Sequence, residues 1–245
     1  RTINIRKDWV ADAKLMDQIS SVTVLLKQNN TLYNGEGVKN GVVTLTKANN
    51  WQATIENVPV YNSTNQARYD YTVEEQGVTS GSVTLGGKAF TVSATSGTGS
   101  VSDPFVIKNT IAAGSVTING TKEWKDDSNA YNTRPDSITV SLLADGQETG
   151  HSVTLAKDAA SNAQSYAFPS DDTYTLPEYD VTNGHKIVYT VAEEGVAAPY
   201  QTAIDGYTIT NKLWESSIRV KREHIEDDQI GQYSITAERY GRMTA

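Results

Sequence analysis

Self-similarity is the strongest constraint on this chain. IRKDW near the start returns as GTKEW, matching Lys7 and Trp9 to Lys122 and Trp124. YDYTVEEQGV, from Tyr69, returns as IVYTVAEEGV, from Ile187, and VIKNT, ending at Thr110, returns as TITNK, ending at Lys212. SVTVLL from Ser21 pairs with SITVSLL from Ser137, GVVTL from Gly41 with SVTL from Ser152, and VPVY from Val58 with LPEY from Leu176. Every echo keeps the same order, so the chain carries two homologous modules of about 100 residues, 1–112 and 113–214. The join Ile111-Ala112-Ala113-Gly114 is short, which implies modules stacked as a stiff rod.

Each module alternates apolar and polar residues with period 2, interrupted by turn formers such as Asn34-Gly35, Asp145-Gly146 and Asn183-Gly184. Thr, Val, Tyr and Ile are common while Phe is 3 and Met 2, a composition suited to strands. The expected fold is all-β, with about seven short strands per module closing a sandwich. A net charge of −8 argues against nucleic acid, whose phosphates need clustered Lys and Arg. With no cysteine, disulfides, thiolate nucleophiles and thiolate metal sites are excluded. The chain opens RTINIRKDW and no window approaches ~18 uninterrupted apolar residues, so neither a signal peptide nor a membrane span is expected within it.

The alternation also places polar residues where core residues belong. Along a strand, residues i, i+2 and i+4 share a face, so Lys7 shares the face of Ile3, Ile5 and Trp9, and Lys122 that of Val116, Ile118, Gly120 and Trp124. By the same reading Glu75 follows Tyr69, Tyr71 and Val73, while Glu193 follows Ile187, Tyr189 and Val191. In the closing strands Asn109 follows Phe105 and Ile107, and Asn211 follows Tyr207 and Ile209. Each module therefore aims one Lys, one Glu and one Asn inward. Unpaired, these groups would cost several kcal/mol each, so they must meet. One outcome is a buried Lys–Glu ion pair completed by the Asn amide, or a lysine that snorkels to the rim. The other is chemical: burial disfavours the charged forms, a neutral amine attacks the Asn side-chain carbon, and the acid shuttles a proton to departing ammonia. The product is an isopeptide bond.

TKEW, SITVSLLADG, LPEY, YTVAEE and YTITN together resemble the Cna B-type domains of Gram-positive surface proteins and pilins. The resemblance is close in the second module and looser in the first. It implies Ig-like, prealbumin-type sandwiches, each with a self-formed Lys-to-Asn bond: Lys7 to Asn109 assisted by Glu75, and Lys122 to Asn211 assisted by Glu193. Glu74 is one residue off register, and Ala192 stands in its place in the second module. The implied role is a stalk or spacer of a cell-surface adhesin or pilus-type protein, anchored to the cell wall through other parts of that protein. Its partners are then neighbouring domains of the same protein. No cofactor, metal or turnover catalysis is implied. The rival function is an adhesive module that recognises a host matrix protein or glycan through sandwich loops, with Tyr33, Tyr131 and Tyr174 as contributors.

His151, His185 and His224 have no matching Ser or Cys signature and read as surface residues. Asp126-Asp127-Ser128-Asn129 lacks the Gly and the late Glu of an EF-hand and reads as a solvated loop. Residues 215–245 read as the opening of a third repeat, with a capping hairpin as the alternative. There Ile218, Val220, Arg222 and His224 take the face of Ile3, Ile5, Lys7 and Trp9. Arg222 stays protonated and cannot be the nucleophile, and Lys221 faces the other way, so no crosslink is expected.

Overall fold

In the computed structural model, which describes residues 1–214, 216–217 and 243–244, the chain forms two β-sandwich units. The proposed third repeat or capping hairpin, including Arg222 and His224, lies outside the described residues.

In the first unit the strands are β1 (Ile3–Val10), β2 (Ser21–Gln28), β3 (Thr31–Leu32), β4 (Val42–Thr46), β5 (Gln52–Ile55), β6 (Tyr71–Glu75), β7 (Ser82–Leu85), β8 (Lys88–Val92) and β9 (Phe105–Ile111). One sheet has the order β5-β1-β9-β8-β7; in the other, β2 pairs with β3, β4 and β6. The expected alternation is present: Ile3, Ile5 and Lys7 of β1 are buried while Arg6 is exposed, and Tyr71, Val73 and Glu75 of β6 are buried while Thr72 and Glu74 are exposed. Phe90, Ile107, Val24 and Leu26 fill the space between the sheets.

In the second unit the strands are β10 (Ile118–Lys125), β11 (Ser137–Ala144), β12 (Gln147–Ala156), β13 (Ala163–Phe168), β14 (Tyr189–Glu194), β15 (Tyr200–Asp205) and β16 (Thr208–Leu213). The sheets run β13-β10-β16-β15 and β12-β11-β14. The short β3 and the hairpin strand β7 are the additions that set the first unit apart from this seven-strand plan. Gly120 sits on the buried face of β10 because any Cβ there would meet the Tyr166 ring at 2.1 Å. The ring fills that space and its hydroxyl donates to the Tyr207 carbonyl at 2.7 Å.

In both units the first and last strands lie side by side and parallel, in corresponding register: Trp9 opposite Asn109, and Trp124 opposite Asn211. Such a pairing cannot be made by a hairpin, so the intervening chain must cross to the other sheet and return.

Pro177–Ile187, which the repeat assigns to the second module, groups with the first unit. Tyr179 joins that unit's core and Glu178 accepts from Lys88 at 2.6 Å. Gly184 makes the approach possible: its φ is +82°, and a Cβ would lie 2.2 Å from the Ala11 nitrogen.

Candidate functional site

In the first unit the three polar residues with core positions come together from three strands. Lys7 on β1 and Asn109 on β9 occupy neighbouring parallel strands of one sheet, two residues apart in register, so their side chains lean toward each other. Glu75 reaches across from β6 in the facing sheet. Lys7 Nζ donates to Glu75 Oε2 at 2.6 Å and to the Asn109 side-chain carbonyl, and Asn109 Nδ2 donates to Glu75 Oε1 at 3.1 Å. The Lys7 and Glu75 side chains are 0% and 1% exposed, so bulk water does not screen them. Desolvation lowers the Lys7 pKa, with the Glu75 carboxylate opposing the shift. Trp9 covers the ammonium, 5.0 Å from ring centroid to Nζ, and is itself held edge-on by Trp51 and Phe90. A cleft of about 460 Å³, lined in part by Glu75, Val92 and Ile107, opens beside the acid.

The second unit assembles the same residue types differently. Lys122 Nζ lies 3.4 Å from Glu193 Oε1 and donates to the Glu123 carbonyl at 2.9 Å. Asn211 Nδ2 donates to Glu193 Oε1 at 3.1 Å. The remaining oxygens, Glu193 Oε2 and Asn211 Oδ1, both lie within hydrogen-bond reach of the Thr202 hydroxyl, at 3.0 and 2.8 Å. Burial lowers the Lys122 pKa to about 8; the Glu193 charge opposes this, and the nearby Arg134 cation adds to it. Trp124 lies against the lysine, with its ring centroid 4.1 Å from Nζ.

Arg134 was not singled out by the sequence pattern. It is buried, packs 5.3 Å from the Trp124 centroid, and forms a two-pronged pair with Asp126 at 2.7 Å on each oxygen. Tyr200 and the Asn129 amide also donate to Asp126. The solvated-loop reading therefore fails for Asp126, which is 4% exposed with both oxygens engaged by Arg134. Only the alternation of Lys122, Trp124 and Asp126 on one face hinted at this.

Glu74 points outward and pairs with Lys27 at 2.7 Å, as its register requires. Tyr33 is corrected from a loop residue to a core one, since it is 5% exposed and packs edge-on against Tyr71. Tyr131 is exposed, while Tyr174 stacks on His151 at 3.7 Å between ring centroids. His185 bonds to Asn183, and His224 lies outside the described residues. Among the described residues no helix is long and apolar enough to cross a membrane, and no three His, Cys, Asp or Glu side chains gather to hold a metal.

The family model for the Cna protein B-type domain matches residues 3–98 and again residues 118–212. The chain belongs to that family. B-type domains are structural modules of surface proteins, not turnover enzymes. A model for the Mu-like prophage major head subunit gpT matches residues 200–245, overlapping the end of the second B-type match and otherwise running mainly through residues outside the description. A collagen adhesin of Staphylococcus aureus is 38% identical over 107 residues, 44% of this chain but only 8% of that protein. Among solved structures, the two B repeat units of the collagen-binding protein of Staphylococcus aureus are 25% identical, with a TM-score of 0.46, covering 86% of this chain and 49% of that one. The major pilin of Streptococcus pyogenes is 15% identical with a TM-score of 0.28, over 86% of this B-type chain and 97% of the pilin.

Proposed function

We propose that each module, 1–112 and 113–214, closes one intramolecular isopeptide bond, Lys7 to Asn109 and Lys122 to Asn211. The tandem then serves as a stalk or spacer in a cell-surface adhesin or pilus-type protein of a Gram-positive bacterium. One observation carries the reading: in both units a buried Lys and a buried Asn on adjacent parallel strands share a buried Glu from the facing sheet. An ion pair alone needs no amide between its members, and three polar groups in a dry interior are a poor source of stability compared with apolar packing.

The chemistry follows from the contacts. Glu75 takes a proton from Lys7 Nζ, whose charged form burial already disfavours. The amine lone pair attacks Asn109 Cγ as the carbonyl electrons move onto Oδ1. Glu75 passes that proton to Nδ2, to which Oε1 is already hydrogen-bonded, and takes up the second proton that Nζ sheds as the new bond forms. The Cγ–Nδ2 bond breaks, ammonia leaves with the electron pair, and a secondary amide remains. Positioning does most of the work, since nucleophile and carbonyl are held together before reaction. Because the bond joins first and last strands, tension applied at the module ends meets a covalent bridge. Neighbouring domains of the same surface protein are the natural partners of such a spacer.

Intact mass under denaturing conditions tests this reading. The expected mass is two ammonia lower than the sequence mass; an unmodified mass would leave only buried ion pairs.

A further inference from the structure

The strand beside the Asn strand carries a different residue against the reacting groups in each module. In the last sheet of each, the strand preceding the Asn strand runs antiparallel to it and places one residue directly opposite the Asn: Val92 opposite Asn109, and Thr202 opposite Asn211. Val92 offers only methyl groups. The Thr202 hydroxyl sits 3.0 Å from Glu193 Oε2 and 2.8 Å from Asn211 Oδ1. A hydroxyl has one hydrogen and two oxygens face it here. Thr202 can donate to Asn211 Oδ1 while accepting from Glu193 whenever the acid holds its proton on Oε2, so the hydroxyl bridges the two oxygens between which a proton would pass.

We infer that Thr202 is a catalytic proton relay of the second module, carrying the Glu193 proton to the Asn211 carbonyl oxygen as the bond to Lys122 forms. This rests on the isopeptide reading above and adds a residue and a route to it. As neutral Lys122 Nζ attacks Asn211 Cγ, the carbonyl π electrons move to Oδ1. Thr202 gives its proton to Oδ1 and takes one from Glu193 Oε2, so a neutral hydroxyl develops instead of a bare oxyanion. Glu193, now a carboxylate, removes a proton from Nζ through Oε1 and delivers it to Nδ2, which accepts it and departs as ammonia. The proton on Oδ1 returns through Thr202 to Oε2, and the new amide carbonyl is restored. Thr202 is neither consumed nor charged in the cycle. Its residue is exposed while Asn211 is 0% exposed, so the relay lies at the rim of the dry site. In the first module Lys7 itself donates to the Asn109 carbonyl, and no hydroxyl is built in.

The test uses the full 245-residue chain, recovered uncrosslinked from inclusion bodies, diluted into buffer and sampled by peptide mass mapping of each bond. Thr202→Val, the residue class the first module has at this register, should slow the Lys122 to Asn211 bond by about a hundredfold, the scale of a lost positioned proton donor. Thr202→Ser should retain most of the rate, and the Lys7 to Asn109 bond should be unaffected in the same sample. Thr202→Ala is measured alongside, with amide exchange at Ile209 reporting that the second unit is folded, so that a folding defect in one variant does not decide the matter. Wild-type rates in the folded Val or Ala variant would overturn the relay while leaving the crosslink intact. Failure of the wild-type chain to lose ammonia from Asn211 on joining it to Lys122 would overturn the crosslink reading itself, and the relay with it.

Discussion

Lys7 donates its ammonium hydrogen bond to the side-chain carbonyl of Asn109, a residue 102 positions away in the chain. The two side chains meet because β1 and β9 are parallel neighbours in one sheet, and the carboxylate of Glu75 closes the group from the other. The equivalent group in the second unit inserts a threonine hydroxyl between acid and amide.

Glu75→Ala should abolish the bond of the first module alone, and Glu193→Ala that of the second alone, because each acid touches only its own amide. Loss of general acid–base assistance slows such a step by ~10²–10⁴. Tryptic peptide mapping reads both modules in one sample; full crosslinking in either variant would assign the acid elsewhere.

Bond formation in the second module should change little with pH below about 8, where the Lys122 pKa lies, and slow above it. The neutral amine and protonated acid that react together hold the same number of protons as the ion pair, and above the lysine's pKa that shared proton is lost to water. The uncrosslinked Asn211→Ala variant carries the matching stability signature. Its folded Lys122 binds a proton less readily than the unfolded chain, where the pKa is 10.5, so the unfolded state holds more protons between about pH 8 and 10.5. Stability contributed by this lysine therefore rises with pH across that window. Denaturant titrations at pH 7.5 and 9.5, compared with an Asn211→Ala variant that also carries Lys122→Met, would reveal a flat difference if the assignment were wrong.

Closing a loop of about 100 residues removes chain entropy from the unfolded state, worth about 4–5 kcal/mol by analogy with disulfides. Asn109→Ala should cost the first module at least that much in chemical denaturation. Under single-molecule stretching, the wild-type module should show no extension of the residues between 7 and 109, whereas Asn109→Ala should release them. A full-length extension in the wild-type chain would remove the mechanical role.

Arg134→Met should destabilise the second unit by about 3–5 kcal/mol, the cost of leaving the buried Asp126 charge without its partner. Asp126→Asn with Arg134→Met, which removes both charges, should recover part of the loss. Thermal unfolding of the uncrosslinked Asn211→Ala background separates this effect from that of the covalent bond, and an Arg134→Met variant of undiminished stability would show that the pair contributes nothing.

Period-2 alternation was sufficient to place Lys7, Glu75, Asn109 and their counterparts on the buried faces, because a strand's side chains alternate regardless of what the strand packs against. Repetition made the pattern legible: a single inward lysine has many explanations, but the same three residue types at the same three strands in both modules have few. Tyr33 was misread for the complementary reason, since it lies outside a long alternating run and its burial depends on Tyr71, a residue of another strand.

Local sequence therefore determined the all-β class, the two modules and which faces the polar triad occupies. Tertiary structure decided which strands are neighbours, and with them everything about contact. Parallel pairing of β1 with β9 and of β10 with β16 is long-range, set by how the sheets close and not by any turn. The placement of Thr202 opposite Asn211, the meeting of Arg134 with Asp126, and the grouping of Pro177–Ile187 with the first unit likewise depend on partners distant in sequence or on a close approach that Gly184 alone permits. Alternation is a property of one strand's backbone, whereas register and neighbour choice are properties of the packed sheet.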